Sequence, residues 1–413
     1  MPFSVSFPRS TDILLPTRLL QTSLTTIALA ASCAAMAQSN SGSGSWQLYS
    51  TSIHRVLAVY GDFDACRQAA NLGRDLACRP VEAATNTTPT PPVMQPLAVK
   101  PPVMNGAFRI DASNLPDGDA GSGYDRVRPT AEVAPPSDIG AFRVPCSFSH
   151  MAFDDPIVYP GVPGAAHLHT FFGNTATSAT STADSIRTSG NSTCLGGTIN
   201  RSAYWVPSMI DTSTGKPIVP DVAGIYYKQG YTLEPPTIIQ PLPAGLRMIA
   251  GDPTNDKPGS PVALFKCIGG PNNSNDQYGS SIPNCDAGAQ VYQVIVFPQC
   301  WDGKNLDSPD HKSHMSYVVA APGGSGFTCP ATHPVALPEI TFNIIYTVQT
   351  ANAAKAWRLS SDAYDTSLPA GYSSHGDWFN GWEKPISDAW AAGCVQARRD
   401  CHAHLLGDGR MMY

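Results

Sequence analysis

The apolar residues of this chain come in short runs. Segments 142–148, 202–210, 224–231, 246–250, 262–268, 291–297, 315–320, 340–348 and 356–359 are each rich in Val, Ile, Phe and Tyr and are bounded by Gly, Pro, Asn or Asp. Runs of this length with turn residues at both ends predict β-strands. Alternation of side chains is clearest in 291–297 and 340–346, as expected where one face of a sheet is buried. Helical spacing occurs once in this region, in Ile386, Ala389, Trp390, Ala392 and Val395, and predicts a helix over 385–399. Many short strands without alternating long helices, and without an internal repeat, predict a mainly β fold: an antiparallel β-sandwich or jelly-roll-like domain with long loops.

The pattern changes toward the N-terminus and divides the chain. Arg9 and Arg18 precede a mostly apolar run over 19–31, and Ala35-Met36-Ala37 comes after it; this order predicts a secretory signal peptide over 1–37. The run is too short and too rich in Ser and Thr for a permanent anchor, which needs about 20 predominantly apolar residues. Residues 38–80 begin with a Ser/Gly spacer and continue into a small segment with a helix-like stretch over 64–76, flanked by Cys66 and Cys78. They read equally as a small disulfide-clipped module and as an N-terminal extension packed on the main domain. Residues 81–104 are dominated by Thr, Pro and Ala, a composition that stays extended and links. The main β-rich domain is therefore expected over 105–413.

Composition narrows the function classes. With 14% charged residues and a net charge of -6, the chain lacks the basic footprint of a nucleic-acid partner, and no second membrane span is predicted. Of the 11 cysteines, Cys33 lies in the signal, leaving an even ten, which in an oxidising compartment predicts five disulfides. Near neighbours suggest Cys66 with Cys78, Cys267 with Cys285 and Cys394 with Cys401. A secreted or periplasmic location is expected from signal and cysteines together.

Chemistry concentrates in three segments. The first is His167-Leu168-His169-Thr170-Phe171-Phe172-Gly173-Asn174, where a strand would put both imidazoles on one face. The second, Cys300 to Met315, reads Cys-Trp-Asp-Gly-Lys-Asn-Leu-Asp-Ser-Pro-Asp-His-Lys-Ser-His-Met and holds three aspartates and two histidines. The third is His375-Gly376-Asp377-Trp378-Phe379-Asn380-Gly381-Trp382. Together these segments resemble a domain-of-unknown-function family of secreted fungal and bacterial proteins, over about residues 142–401. Fungal members of that family are often joined to WSC-type carbohydrate-binding modules, which implies by analogy a substrate in cell walls or extracellular polysaccharide. This chain has no WSC pattern of its own.

Read from the residues, the sharpest expectation is one cleft. His167, His169, His311 and His314 would hold zinc or copper, with His311, His314, Asp310, Asp302, His375 and Asp377 carrying acid/base chemistry. A metal-free version uses the same groups for a lyase or a glycoside hydrolase, with Tyr204, Tyr317 and Arg247 as auxiliaries. Against both stands a structural reading, in which Asp302-Gly303 and Ser308-Pro309 are turn chemistry and the loop is held by Cys300 with a partner such as Cys329. Trp301, Trp378 and Trp382 are read as core before sugar platforms, and His54, His150, His333, His402 and His404 as surface or satisfied residues. The function expected is action on, or binding of, extracellular glycan; the alternative is a non-catalytic binding or structural protein of the cell envelope.

Overall fold

The computed structural model describes residues 46–50, 55–60, 76–80, 103–230, 238–270, 277–322 and 326–413. The expected signal peptide, most of the predicted helix-like stretch 64–76, the expected Cys66–Cys78 pairing, His54 and nearly all of the expected linker lie outside the described residues. The chain divides into two compact units, Met1–Pro89 and Thr90–Tyr413. In the first, Trp46–Ser50 is the central strand of an antiparallel sheet, between Arg55–Tyr60 and Leu76–Pro80.

Ten strands organise the second unit: β1 (Ala141–Cys146), β2 (Phe148–Ala152), β3 (His169–Gly173), β4 (Ala203–Pro207), β5 (Val222–Lys228), β6 (Arg247–Gly251), β7 (Ala263–Ile268), β8 (Gln290–Val296), β9 (Glu339–Thr347) and β10 (His375–Phe379). They form two five-stranded antiparallel sheets. One has the order β6-β10-β4-β3-β2, the other β7-β8-β9-β5-β1. The fold is mainly β, and the two sheets form a sandwich. In β1 the inward residues Phe142, Val144 and Cys146 alternate with half-buried ones, whereas β3, β4 and β10 are buried along their whole length. A strand covered on both faces loses the alternation that marks a half-exposed strand.

The inner faces meet directly. The hydroxyl of Tyr204 on β4 lies 2.8 Å from that of Tyr227 on β5, and the Trp382 indole donates to Tyr227 at 3.0 Å. Gln293 on β8 donates to Ser374 beside β10 at 3.0 Å. Each large side chain buried here contributes roughly 1.5–3 kcal/mol. The sheets pack closely at Gly376, where a Cβ would stand 3.0 Å from the Ile295 side chain and 3.2 Å from that of Phe342.

Several details depart from the expectations. Segment 315–320 is two short strands, Met315–Ser316 and Val319–Ala320, which pair with different partners. A short helix α1 (Ala183–Thr188) was not foreseen; Thr182 and Ser185 cap it reciprocally. The helix predicted over 385–399 is α2 (Lys384–Trp390) followed by a π-type turn (Ala391–Gln396). In that turn Gly393 packs against Gly407, whose carbonyl oxygen would stand 2.5 Å from a Cβ. Four disulfides occur among the described residues: Cys146–Cys194, Cys267–Cys285, Cys300–Cys329 and Cys394–Cys401. The first joins residues 48 apart in sequence and was not among the near-neighbour pairs. Among the described residues no helix is long and apolar enough to cross a membrane.

Candidate functional site

Strand β4 runs between β3 and β10, so its two neighbours carry the histidines of the first and third segments. His169 opens β3 and His167 precedes it by two residues, which places both rings on one side, with centroids 4.2 Å apart. His375 opens β10 and Asp377 lies two residues beyond it. His167 Nε2 lies 3.1 Å from His375 Nε2, and His375 Nε2 lies 4.0 Å from Asp377 Oδ2. One ligand atom each from His167, His169 and His375 falls within a mutual distance of 4.8 Å, and the same holds for Asp155, His169 and Asp377.

Backbone carbonyls decide which nitrogens face the centre. Nδ1 of His169 is 2.9 Å from the Asp154 carbonyl oxygen, and Nδ1 of His375 is 2.8 Å from that of Ser373. A carbonyl oxygen only accepts, so both Nδ1 atoms carry the proton and both Nε2 atoms present lone pairs. Among the described residues, His169 Nε2 and Asp377 Oδ2 are buried without a hydrogen-bond partner. Asp155, also buried, accepts the backbone N–H groups of Ile157 and Val158 at 2.8 Å through one oxygen.

Burial sets the charge of these groups. It pushes His169 down to about 4 and His375 down to about 3, the latter helped by His169, and holds His167 well below the ordinary range. Burial also raises the Asp377 carboxyl well above its usual value, with the charge of Asp155 adding to the effect. Asp155 itself is raised by burial against the pull of its backbone N–H donors. Neutral imidazoles beside two carboxylates that resist ionising together form a donor set that a cation would complete. Ligand atoms around one transition ion at about 2.0–2.2 Å stand no more than about 4.4 Å apart, close to the spread seen here.

A cavity of about 420 Å³ is lined by His167, His375, Asp155 and Asp377 of this group and by Asp310, His311 and Lys312 from the second segment. The three segments thus reach one place. They do so with a different set of rings from the four that the sequence singles out. His375 is the third imidazole of the group, where the sequence pointed to His311 and His314. Both nitrogens of His314 are occupied, Nδ1 by the Ser308 hydroxyl at 2.9 Å and Nε2 by the Arg247 carbonyl at 2.7 Å. Asp302 is spent on a turn, accepting the backbone N–H groups of Lys304 and Asn305. Asp310 lines the cavity but is likewise a turn residue. Desolvation opposes its ionisation, yet donors from Ser313, Ser308 and Lys312 hold its carboxyl far below the usual range.

Two of the auxiliaries go elsewhere: Tyr204 is in the core and Tyr317 donates to the Val296 carbonyl at 2.9 Å, while Arg247 pairs with Asp307. Trp378 and Trp382 are buried; Trp301 donates to the Asn305 carbonyl. His150 stacks on Phe171, His333 bonds Ser313, and His402 and His404 pair with Asp400 and Glu132. Sequence reasoning missed Asp155 and the role of Asp307. The adjacent Asp154-Asp155 pair upstream of His167 was the available signal for the first.

Compared with family models, residues 155–382 match one described as a domain of unknown function, DUF1996, a span that contains every member of the histidine and aspartate group. No curated protein and no solved structure matches the chain.

Proposed function

Since the chain belongs to the DUF1996 family, whose description assigns no chemistry, we propose from the site itself that the main domain is a metal-dependent hydrolytic protein acting on extracellular polysaccharide. One observation carries this reading: two buried imidazoles, each fixed by a backbone carbonyl as the Nδ1–H tautomer, turn Nε2 toward one place, His169 Nε2 with no partner and His375 Nε2 against the third ring, and an unpartnered oxygen of Asp377 arrives there too. Such carbonyl-backed imidazoles are how proteins orient metal ligands. His167, His169 and His375 would hold a divalent ion of the zinc or copper class, with Asp377 as the carboxylate ligand and Asp155 beside it. When bound, the ion supplies Lewis acidity for hydrolysis. The same cavity is also lined by Asp252, Thr254 and Lys312, polar groups among which a hydroxyl-rich ligand would sit. Four disulfides among the described residues agree with an oxidising compartment.

Metal analysis of the purified protein tests the centre. About one zinc- or copper-class ion per chain is expected, lost in His169→Ala and His375→Ala at retained fold and kept in His314→Ala. A wild-type protein that takes up no such ion after zinc or copper loading would refute the reading. A polysaccharide panel scored for new reducing ends tests the reaction; an ion retained with no product on any polymer would favour a non-catalytic binding protein.

A further inference from the structure

The cavity that His167 and His375 line holds an imidazole of a different kind. His311 Nδ1 lies 3.0 Å from Asp307 Oδ1, and Asp307 Oδ2 accepts from Arg247 Nη1 at 2.9 Å. The Ser308 backbone N–H donates to Asp307 Oδ1 at 2.8 Å. Arg247 is itself fixed, its guanidinium 4.6 Å from the centroid of Phe379 at the end of β10. Desolvation works against ionisation of Asp307, but the bonds from His311 and Arg247 keep its carboxyl below the usual range. A carboxylate that stays ionised accepts a hydrogen bond from His311 Nδ1–H and leaves Nε2 to the cavity that both groups of residues line. His311 is also one of four non-glycine residues with a positive φ among the described residues, at 58°. A non-glycine residue keeps that conformation only where the surroundings impose it.

We infer that His311 is the proton-transfer group of this cleft, with Asp307 and Arg247 as its positioning residues, and that it is not a metal ligand. The inference rests on the hydrolytic reading above for the identity of the reaction. In that reaction, as water oxygen bonds to the electrophilic carbon, His311 Nε2 takes one of its protons. The resulting imidazolium is stabilised by the Asp307 carboxylate, and the proton passes to the departing oxygen as its bond to that carbon breaks, leaving the imidazole neutral again. The arrangement separates duties in space. Three rings on and beside the sheet are set up to bind, and one ring on the loop is backed by a carboxylate to move a proton.

Three measurements on the full mature chain, loaded with zinc, test the assignment. Histidine-¹⁵N NMR should show His311 as the Nδ1–H tautomer when neutral, and Asp307→Asn should release it from that state. An Nε2–H tautomer in the wild type, or no change in Asp307→Asn, would overturn the proposal. Zinc content should be unchanged in His311→Ala and Asp307→Asn; loss of zinc at retained fold in His311→Ala would make His311 a ligand and sink it. Hydrolysis of 4-nitrophenyl acetate should fall about 100-fold in His311→Ala, with loss of the limb of the pH profile that an imidazole base creates. Equal rates in wild type and His311→Ala, including two rates no faster than buffer, count against it. If His375→Ala keeps its zinc, the metal centre fails, while the tautomer measurement still decides the dyad.

Discussion

At the scale of single residues, the buried imidazoles make a prediction about acid stability in chelated, metal-free protein. An unfolded histidine takes up a proton near pH 6.5, whereas His169 and His375 in the fold stay neutral down to about 4 and about 3. Between these limits the unfolded chain binds more protons, so stability is fully present above pH 6.5 and declines as the pH falls toward the folded values. Urea midpoints at pH 7.5, 5.5 and 4.5 should fall more steeply in wild type than in His375→Asn; parallel slopes would show that His375 is not held neutral. The residue types of the site were legible in the sequence, since His167, His169, His375 and Asp377 stand in short motifs. The decisive partners were not. Asp154 and Ser373 act through backbone carbonyls, which leave no trace in residue identity, and Asp307 sits among several aspartates that only geometry ranks.

Among elements, β10 bears the most constraint, because it carries His375 and Asp377 toward the cavity while Gly376 lies against the opposite sheet. Gly376→Ala would insert a methyl against Ile295 and Phe342 and should cost about 1–3 kcal/mol, read as a lower urea midpoint. An unchanged midpoint would mean that the sheets can part there without penalty. His-Gly-Asp looks like loop chemistry in sequence, and for that reason β10 was not foreseen. The nine-residue strand β9 was foreseen, since it pairs with both β5 and β8 and keeps a plain apolar signal. The helix over 385–399 was legible in its apolar spacing, but its change of pitch after Trp390 was not. The close approach of Gly393 to Gly407 accompanies that change and depends on residues far along the chain.

On the scale of the whole molecule, the sandwich was readable from strand number and turn residues, while the convergence of three segments over some 200 positions was not, because spacing carries no information on which strands become neighbours. The site has two supports: its histidine group stands on a sheet, and the wall with His311 belongs to a loop whose base is tied by Cys300–Cys329, residues 29 apart in sequence. Replacing both cysteines by serine should destabilise the protein by about 2–5 kcal/mol. It should leave zinc content near one per chain and cut ester hydrolysis toward the level of His311→Ala; loss of zinc in that variant would show that sheet and loop are one unit. That crosslink closes the chain from 300 to 329 into a covalent ring, so the segment bearing His311 is held at both ends even where its own hydrogen bonds open.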